Sequence, residues 1–179
     1  MSSKFYLLIF SVLLLSGCKD TARHNAITKI VLARGGCYGT CPVEVITIDS
    51  SLTCYYEGVH NTGYEGLYTA KISRGLWDSI NIKFEKIRFR ELDSSYIGSV
   101  DDEATALKIF HDNKMKYIRS QSSMLPEGLE AVVSFIGKTP EKVKLEPTTS
   151  MNGFDFNILS SLYGPVEIPG RLQEQNGLK

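Results

Sequence analysis

The sequence predicts an α+β domain with a mainly antiparallel sheet, its elements in the order ββββ-α-ββ-α and its helices on one face. Three observations carry this. From Thr28 to Ile72, short runs rich in β-branched and aromatic residues are separated by turn residues. At Ser73 the apolar period lengthens to that of a helix. Between Ala104 and Ser120 it shortens again, before a second helical pattern that ends at Gly137.

Thr28 to Arg34 reads as the first strand, broken by Gly35-Gly36. Pro42 precedes the second, Val43 to Asp49, and Asp49-Ser50-Ser51 has turn chemistry. Leu52 to Glu57 reads as a third strand ended by Gly58, and Gly63 to Ile72 as a fourth. In the third, Leu52, Cys54 and Tyr56 share one face, and Thr53, Tyr55 and Glu57 the other. Ser73 suits an N-cap, and Leu76, Ile80, Phe84 and Ile87 recur at helical spacing with Trp77 beside them. Ala104 to His111 and Lys114 to Ser120 read as a hairpin about Asp112-Asn113. Pro126 suits a first helical turn, Leu129, Val132, Val133 and Ile136 form the apolar stripe, and Gly137 suits the C-terminal cap. From Lys138 onward, four prolines and scattered Ser, Thr and Gly weaken regular structure. Even so, Phe154, Phe156, Ile158, Leu159, Leu162 and Tyr163 are too apolar for a solvated tail, and are expected to pack back on the domain.

The N-terminal end has a different character. Lys4 precedes an apolar run, Phe5 to Leu15, of 11 residues broken by Ser11. A spanning helix needs about 20, so the run reads as the core of a secretory signal. Leu15-Ser16-Gly17-Cys18 directly after it resembles the lipobox of bacterial lipoprotein precursors. That resemblance implies cleavage before Cys18 and acylation of Cys18, with palmitate among the expected acyl chains. The organisation is then a signal peptide at 1–17, a lipidated N-terminus and short tether at 18–26, one α+β domain at 27–137 and an irregular extension at 138–179. The eight residues Lys19–Ala26 span at most about 27 Å, which leashes the domain close to a bilayer. Lys19, not an acidic residue, follows Cys18, and by resemblance to proteobacterial sorting rules this implies the outer membrane facing the periplasm.

Removal of residues 1–17 takes Lys4 and no acid from 20 Lys/Arg and 20 Asp/Glu, leaving 19 against 20 and a net charge of −1. Such a balance argues against nucleic acid, which needs clustered cations to neutralise phosphates. It also offers no polybasic patch, so membrane attachment falls to the lipid on Cys18. At 42% hydrophobic, the chain can bury an ordinary core.

Cys37, Cys41 and Cys54 remain after lipidation of Cys18. Exported cysteines meet an oxidising compartment, and the glycines of Gly35-Gly36-Cys37-Tyr38-Gly39-Thr40-Cys41-Pro42 permit a tight loop. A Cys37–Cys41 disulfide is expected there, with Cys54 a small buried hydrophobe. The loop, with Tyr56-Glu57-Gly58 on the strand that follows, resembles a family of bacterial domains of unknown function found often in envelope lipoproteins. Those domains carry Gly-Cys-aromatic-Gly-Thr-Cys-Pro between two strands and Tyr-Glu-Gly at the end of the next. The resemblance spans about Ile27 to Gly137, with Asp101-Asp102 matching an aspartate before the later hairpin. It implies a fold and no reaction. Asp49-Ser50-Ser51 departs from a Gly-containing turn, and Cys54 from a Val-like residue.

Rival chemistries are weaker. Cys37, Cys41, Cys54 and His60 lack the two tight ligand pairs of a closed zinc site. His24 and His111 read as solvated, and no metal or cofactor is expected beyond the covalent lipid. A Cys54–His60 nucleophile would need a thiolate beside a base, which no pattern requires. Asp101, Asp102 and Glu103 read as a solvated loop, and the motifs of the common hydrolases and phosphate binders are missing. Tyr38, Tyr55, Tyr64 and Tyr68 concentrate in the strand-rich half, and with Thr40 they are the candidate contact residues. The expected function is that of a lipid-anchored, non-catalytic envelope domain that binds a protein or glycan. The alternative is a thiol–disulfide redox protein using Cys37 and Cys41.

Overall fold

The computed structural model describes residues 27–98 and 102–163. The expected signal peptide, lipidation of Cys18 and tether fall on residues 1–26, outside the described residues. An eight-stranded sheet forms the body, in the order β5-β7-β6-β1-β2-β3-β4-β8. Its central strands are β1 (Ile27–Arg34), β2 (Val43–Asp49), β3 (Thr53–His60), β4 (Gly66–Lys71), β6 (Ala104–His111) and β7 (Lys114–Gln121). These six pair antiparallel with one another. Two-residue strands close the edges. β5 (Ser95–Tyr96) runs parallel to β7, and β8 (Glu146–Pro147) antiparallel to β4, so the sheet is mixed. Neither edge strand was legible from periodicity.

The turns obey local chemistry. Asp112 and Asn113 both take positive φ between β6 and β7, the geometry that two-residue hairpins favour and that Asn and Asp tolerate. Asp49 accepts the Ser51 amide at 2.9 Å in the β2–β3 turn. β3 does not stop at Gly58 as the sequence suggests. It continues to His60, because Gly58 pairs with Glu44 on one side and Gly66 on the other.

One face of the sheet carries the main core. Ile30, Leu32, Ile46, Ile48, Tyr56, Leu107 and Ile109 point to it, and α1 (Arg74–Lys86) and α2 (Glu127–Gly137) cover it. Ser73 caps α1 by accepting the Leu76 amide at 3.1 Å. Trp77, Ile80 and Phe84 are its buried stripe, and Leu129, Val132, Val133 and Ile136 that of α2.

Two expectations require correction here. The order is ββββ-α-β-ββ-α-β-α, and the helices are not confined to one face. α3 (Asn157–Tyr163) lies on the opposite side, where Ile158, Leu159 and Leu162 bury against Val31, Ala33, Val45 and Ala106. The physical reason is that β1, β2 and β6 are apolar on both faces, so a single helical layer leaves half their side chains uncovered. The segment from Lys138, read as irregular, therefore supplies an edge strand and a second layer. Lys108–Asp155 (2.7 Å) and Tyr117 Oη–Ser161 Oγ (3.0 Å) hold it in place, and the Phe154 ring packs edge-on against Tyr55.

Strand alternation gives the sheet two distinct ends. Ile27, the β2–β3 turn and the β6–β7 turn share one end. The 35–42 loop, the 61–65 loop and the 121–126 segment share the other.

Candidate functional site

The second of these ends brings together Cys37, Tyr38, Thr40, Cys41, His60, Tyr64, Asp102 and Glu103 of the residues singled out from the sequence. Cys37 and Cys41 form a disulfide with Cα atoms 5.4 Å apart, closing the β1–β2 loop as expected. The Gly39 amide donates to the Cys37 carbonyl at 2.7 Å inside the ring. Tyr38 stands out from it 96% exposed, and Thr40 is exposed beside it.

Beneath the loop, β1 and β2 bring together a buried polar network. Arg34 and Glu44 lie opposite each other at the last β1–β2 pair, which places a cation and an anion side by side. Arg34 Nη1 donates to Glu44 Oε1 at 3.1 Å. Arg34 Nε donates to Glu103 Oε1 at 3.1 Å, and Nη2 lies 3.0 Å from the same oxygen. The second oxygen of each carboxylate is occupied as well. Tyr56 Oη donates to Glu44 Oε2 at 2.9 Å, and Ser122 Oγ to Glu103 Oε2 at 2.9 Å. A buried ion pair is tolerated when its remaining lone pairs are filled in this way.

Burial raises the Glu44 carboxyl above its ordinary value, opposed by the Tyr56 hydrogen bond and by Arg34. The Tyr56 phenol is likewise held high, first by burial and then by the Glu44 charge. Asp102 shifts the other way. The Ser123 backbone amide donates to it at 2.6 Å and favours its charged form, which ties the start of β6 to the 122–124 turn. Asp101 lies outside the described residues.

The Tyr56-Glu57-Gly58 triplet now has a physical reading. Tyr56 reaches back to Glu44. At Gly58, a Cβ would come within 1.8 Å of the Tyr64 carbonyl oxygen, so only glycine lets the 61–65 loop fold down against β3. That loop in turn touches the disulfide loop through Asn61 Nδ2, which donates to the Cys41 carbonyl at 3.5 Å.

The structure divides the tyrosines. Tyr64 is 47% exposed at this end and meets Tyr68 edge-on at 5.6 Å, with Tyr68 half-buried below it. Tyr55 lies on the opposite face under Phe154. Cys54 is wholly buried at the far end of β3, and burial pushes its thiol up to about 12. His60 is exposed at the other end of the same strand, which leaves no Cys54–His60 pair. His111 is buried rather than solvated, edge-on to Phe89 at 5.0 Å. Among the described residues, no group of three or more His, Cys, Asp or Glu side chains is placed to hold a metal ion.

Between this network and α2 opens a cleft of about 450 Å³, bounded by Arg34, Asp102, Ser123, Glu130, Ser134 and Lys138 among others. Sequence reasoning missed Arg34, Glu44 and the cleft. Single charged residues at strand ends look like ordinary surface positions until their partners are known.

The class of protein is thus a mostly antiparallel α+β domain whose first hairpin is closed by a disulfide and seated on an Arg–Glu–Tyr network. The profile of one family, described as Domain of unknown function (DUF6438), matches residues 28–140, more than half of the chain. The chain belongs to that family. No curated protein matches it. The match takes in the stapled loop, the network and the cleft except Glu141, and ends before β8 and α3.

Proposed function

We propose that this chain is an exported, lipid-anchored, non-catalytic envelope domain that presents the stapled end of its sheet to a protein or glycan partner. One observation carries the reading. Tyr38, almost wholly exposed, is held on a disulfide-closed loop above a buried ion network, a rigid mount for a side chain with an apolar body and a polar tip. Rigid presentation limits the ordering cost of binding. The tether supports it further. It would join at Ile27, the end of β1 opposite the stapled loop, so an anchor at Cys18 would attach at the end of the sheet away from that loop.

The test is site-specific photo-crosslinking in cells. A crosslinker at Tyr38 is expected to capture a discrete envelope component, while one at Ile82, exposed on α1, captures none. Equal capture at both positions, or none at Tyr38, would overturn the reading. The redox alternative is separated by the reduction potential of Cys37–Cys41. A structural pair lies below about −300 mV and a working one near about −200 mV. Neither cysteine begins a helix that would stabilise a thiolate, which favours the structural role.

A further inference from the structure

We infer that the cleft beside the stapled loop is a binding site for a neutral, hydroxyl-rich ligand, a saccharide. This rests on reading the stapled end as the recognition face and names its ligand class. At about 450 Å³ the cleft falls within the range of small-ligand sites, roughly 300–1,000 Å³. Most of its lining residues carry side chains that donate or accept hydrogen bonds, and apolar atoms, from their stems and from Leu125 and Val133, make up about half of the wall.

The character of those groups selects the ligand. Arg34 has five N–H donors, and its contacts with Glu44 and Glu103 engage three of its nitrogens. Among the described residues, two N–H groups remain for a ligand in the cleft that Arg34 lines. Lys138 adds a second cationic donor, and Glu130 and Glu141 supply acceptors. Carboxylates outnumber cations in the lining, Asp102, Glu103, Glu130 and Glu141 against Arg34 and Lys138, so a simple anion is repelled, while Arg34 and Lys138 among them oppose a simple cation. A hydroxyl both donates and accepts, so a ring bearing several satisfies donors and acceptors together without adding charge.

Heteronuclear NMR titration of the full chain tests this. The probes are N-acetylglucosamine, its β1,4-linked dimer and glucose, with glycylglycine and tetralysine as zwitterionic and cationic comparisons. A saccharide is expected to shift the amides of Ser123, Ser134 and Lys138. Glu130→Gln with Glu141→Gln should weaken its binding about tenfold; both residues are exposed, so the fold is unaffected. Binding by glycylglycine or tetralysine alone, by no probe, or with shifts elsewhere would overturn the inference. If saccharides fail while crosslinking at Tyr38 succeeds, the recognition face stands and the cleft assignment falls. If saccharides bind in the cleft while Tyr38 captures nothing, the cleft stands and the loop assignment falls.

Discussion

Glu44 is the residue on which the most physical consequence turns. It is buried, yet carries a carboxylate shared between Arg34 and Tyr56. Because burial raises its pKa above the ordinary 4.5, the folded chain binds this proton more tightly than the unfolded chain does. Its contribution to stability is therefore fully present below pH 4.5 and is lost as pH rises through the folded-state value. Glu44→Gln keeps an acceptor for Tyr56 and removes the titration. Urea midpoints measured from about pH 4 to about 7 should then decline less steeply than in the parent chain. An unchanged slope would show that Glu44 is not the group responsible. Asp102 has the opposite sign, its contribution being present above its ordinary value of 3.8 and lost as pH falls. Gly58 makes a second prediction. Its missing Cβ leaves room for the Tyr64 carbonyl, so Gly58→Ala should destabilise by about 3 kcal/mol and displace the 61–65 loop. A loss under about 0.5 kcal/mol, within the range of ordinary surface substitutions, would sink that account.

Among the elements, α3 departs furthest from expectation. Its apolar residues were visible in the sequence, and so was their unsuitability for solvent. Their destination was not. Seven residues are too few for a helical period to declare itself, and the face they cover is assembled from three separate strands. α3 lies outside the family match, yet it shields Val31, Ala33, Val45 and Ala106, all of which lie inside it. Ile158→Ala should therefore cost about 2–5 kcal/mol, like a deletion in the main core. A urea-unfolding loss below about 0.5 kcal/mol would show that this second layer adds nothing to the fold. By contrast, α1, the apolar stripe of α2 and the β6–β7 hairpin were legible from the residues, because the Ser73 cap, stripes and turn residues act over a few positions; the cap expected at Gly137 falls instead on Lys138, with Gly137 the last residue of α2.

For the whole molecule, the proposed lipid at Cys18 and the stapled loop are the two poles of the proposed function, the chain entering β1 at Ile27 and leaving it at the loop. Cys18→Ser should move the chain from the membrane to the soluble fraction on cell fractionation, with the Cys37–Cys41 bond retained. A variant that still sediments with membranes would show that the lipid is not the anchor. Loss of the staple is a separate matter. Cys37→Ser with Cys41→Ser closes no loop and should lower stability by about 2 kcal/mol, read from urea unfolding, because so short a ring restricts the unfolded chain little.

Everything set by neighbours along the chain was already present in the residues. This covers the strand runs, the Ser73 cap, the two helical stripes, the hairpin turn at Asp112-Asn113 and the pairing of Cys37 with Cys41 across three residues. Interactions between distant positions required the folded chain. Arg34 meets Glu103 across 69 positions and Lys108 meets Asp155 across 47, and no local period records such partners. The cleft, the network beneath the loop and the second helical layer all belong to this group. A charge or an apolar side chain states its own chemistry, but its partner is chosen by how strands and helices close around a common core.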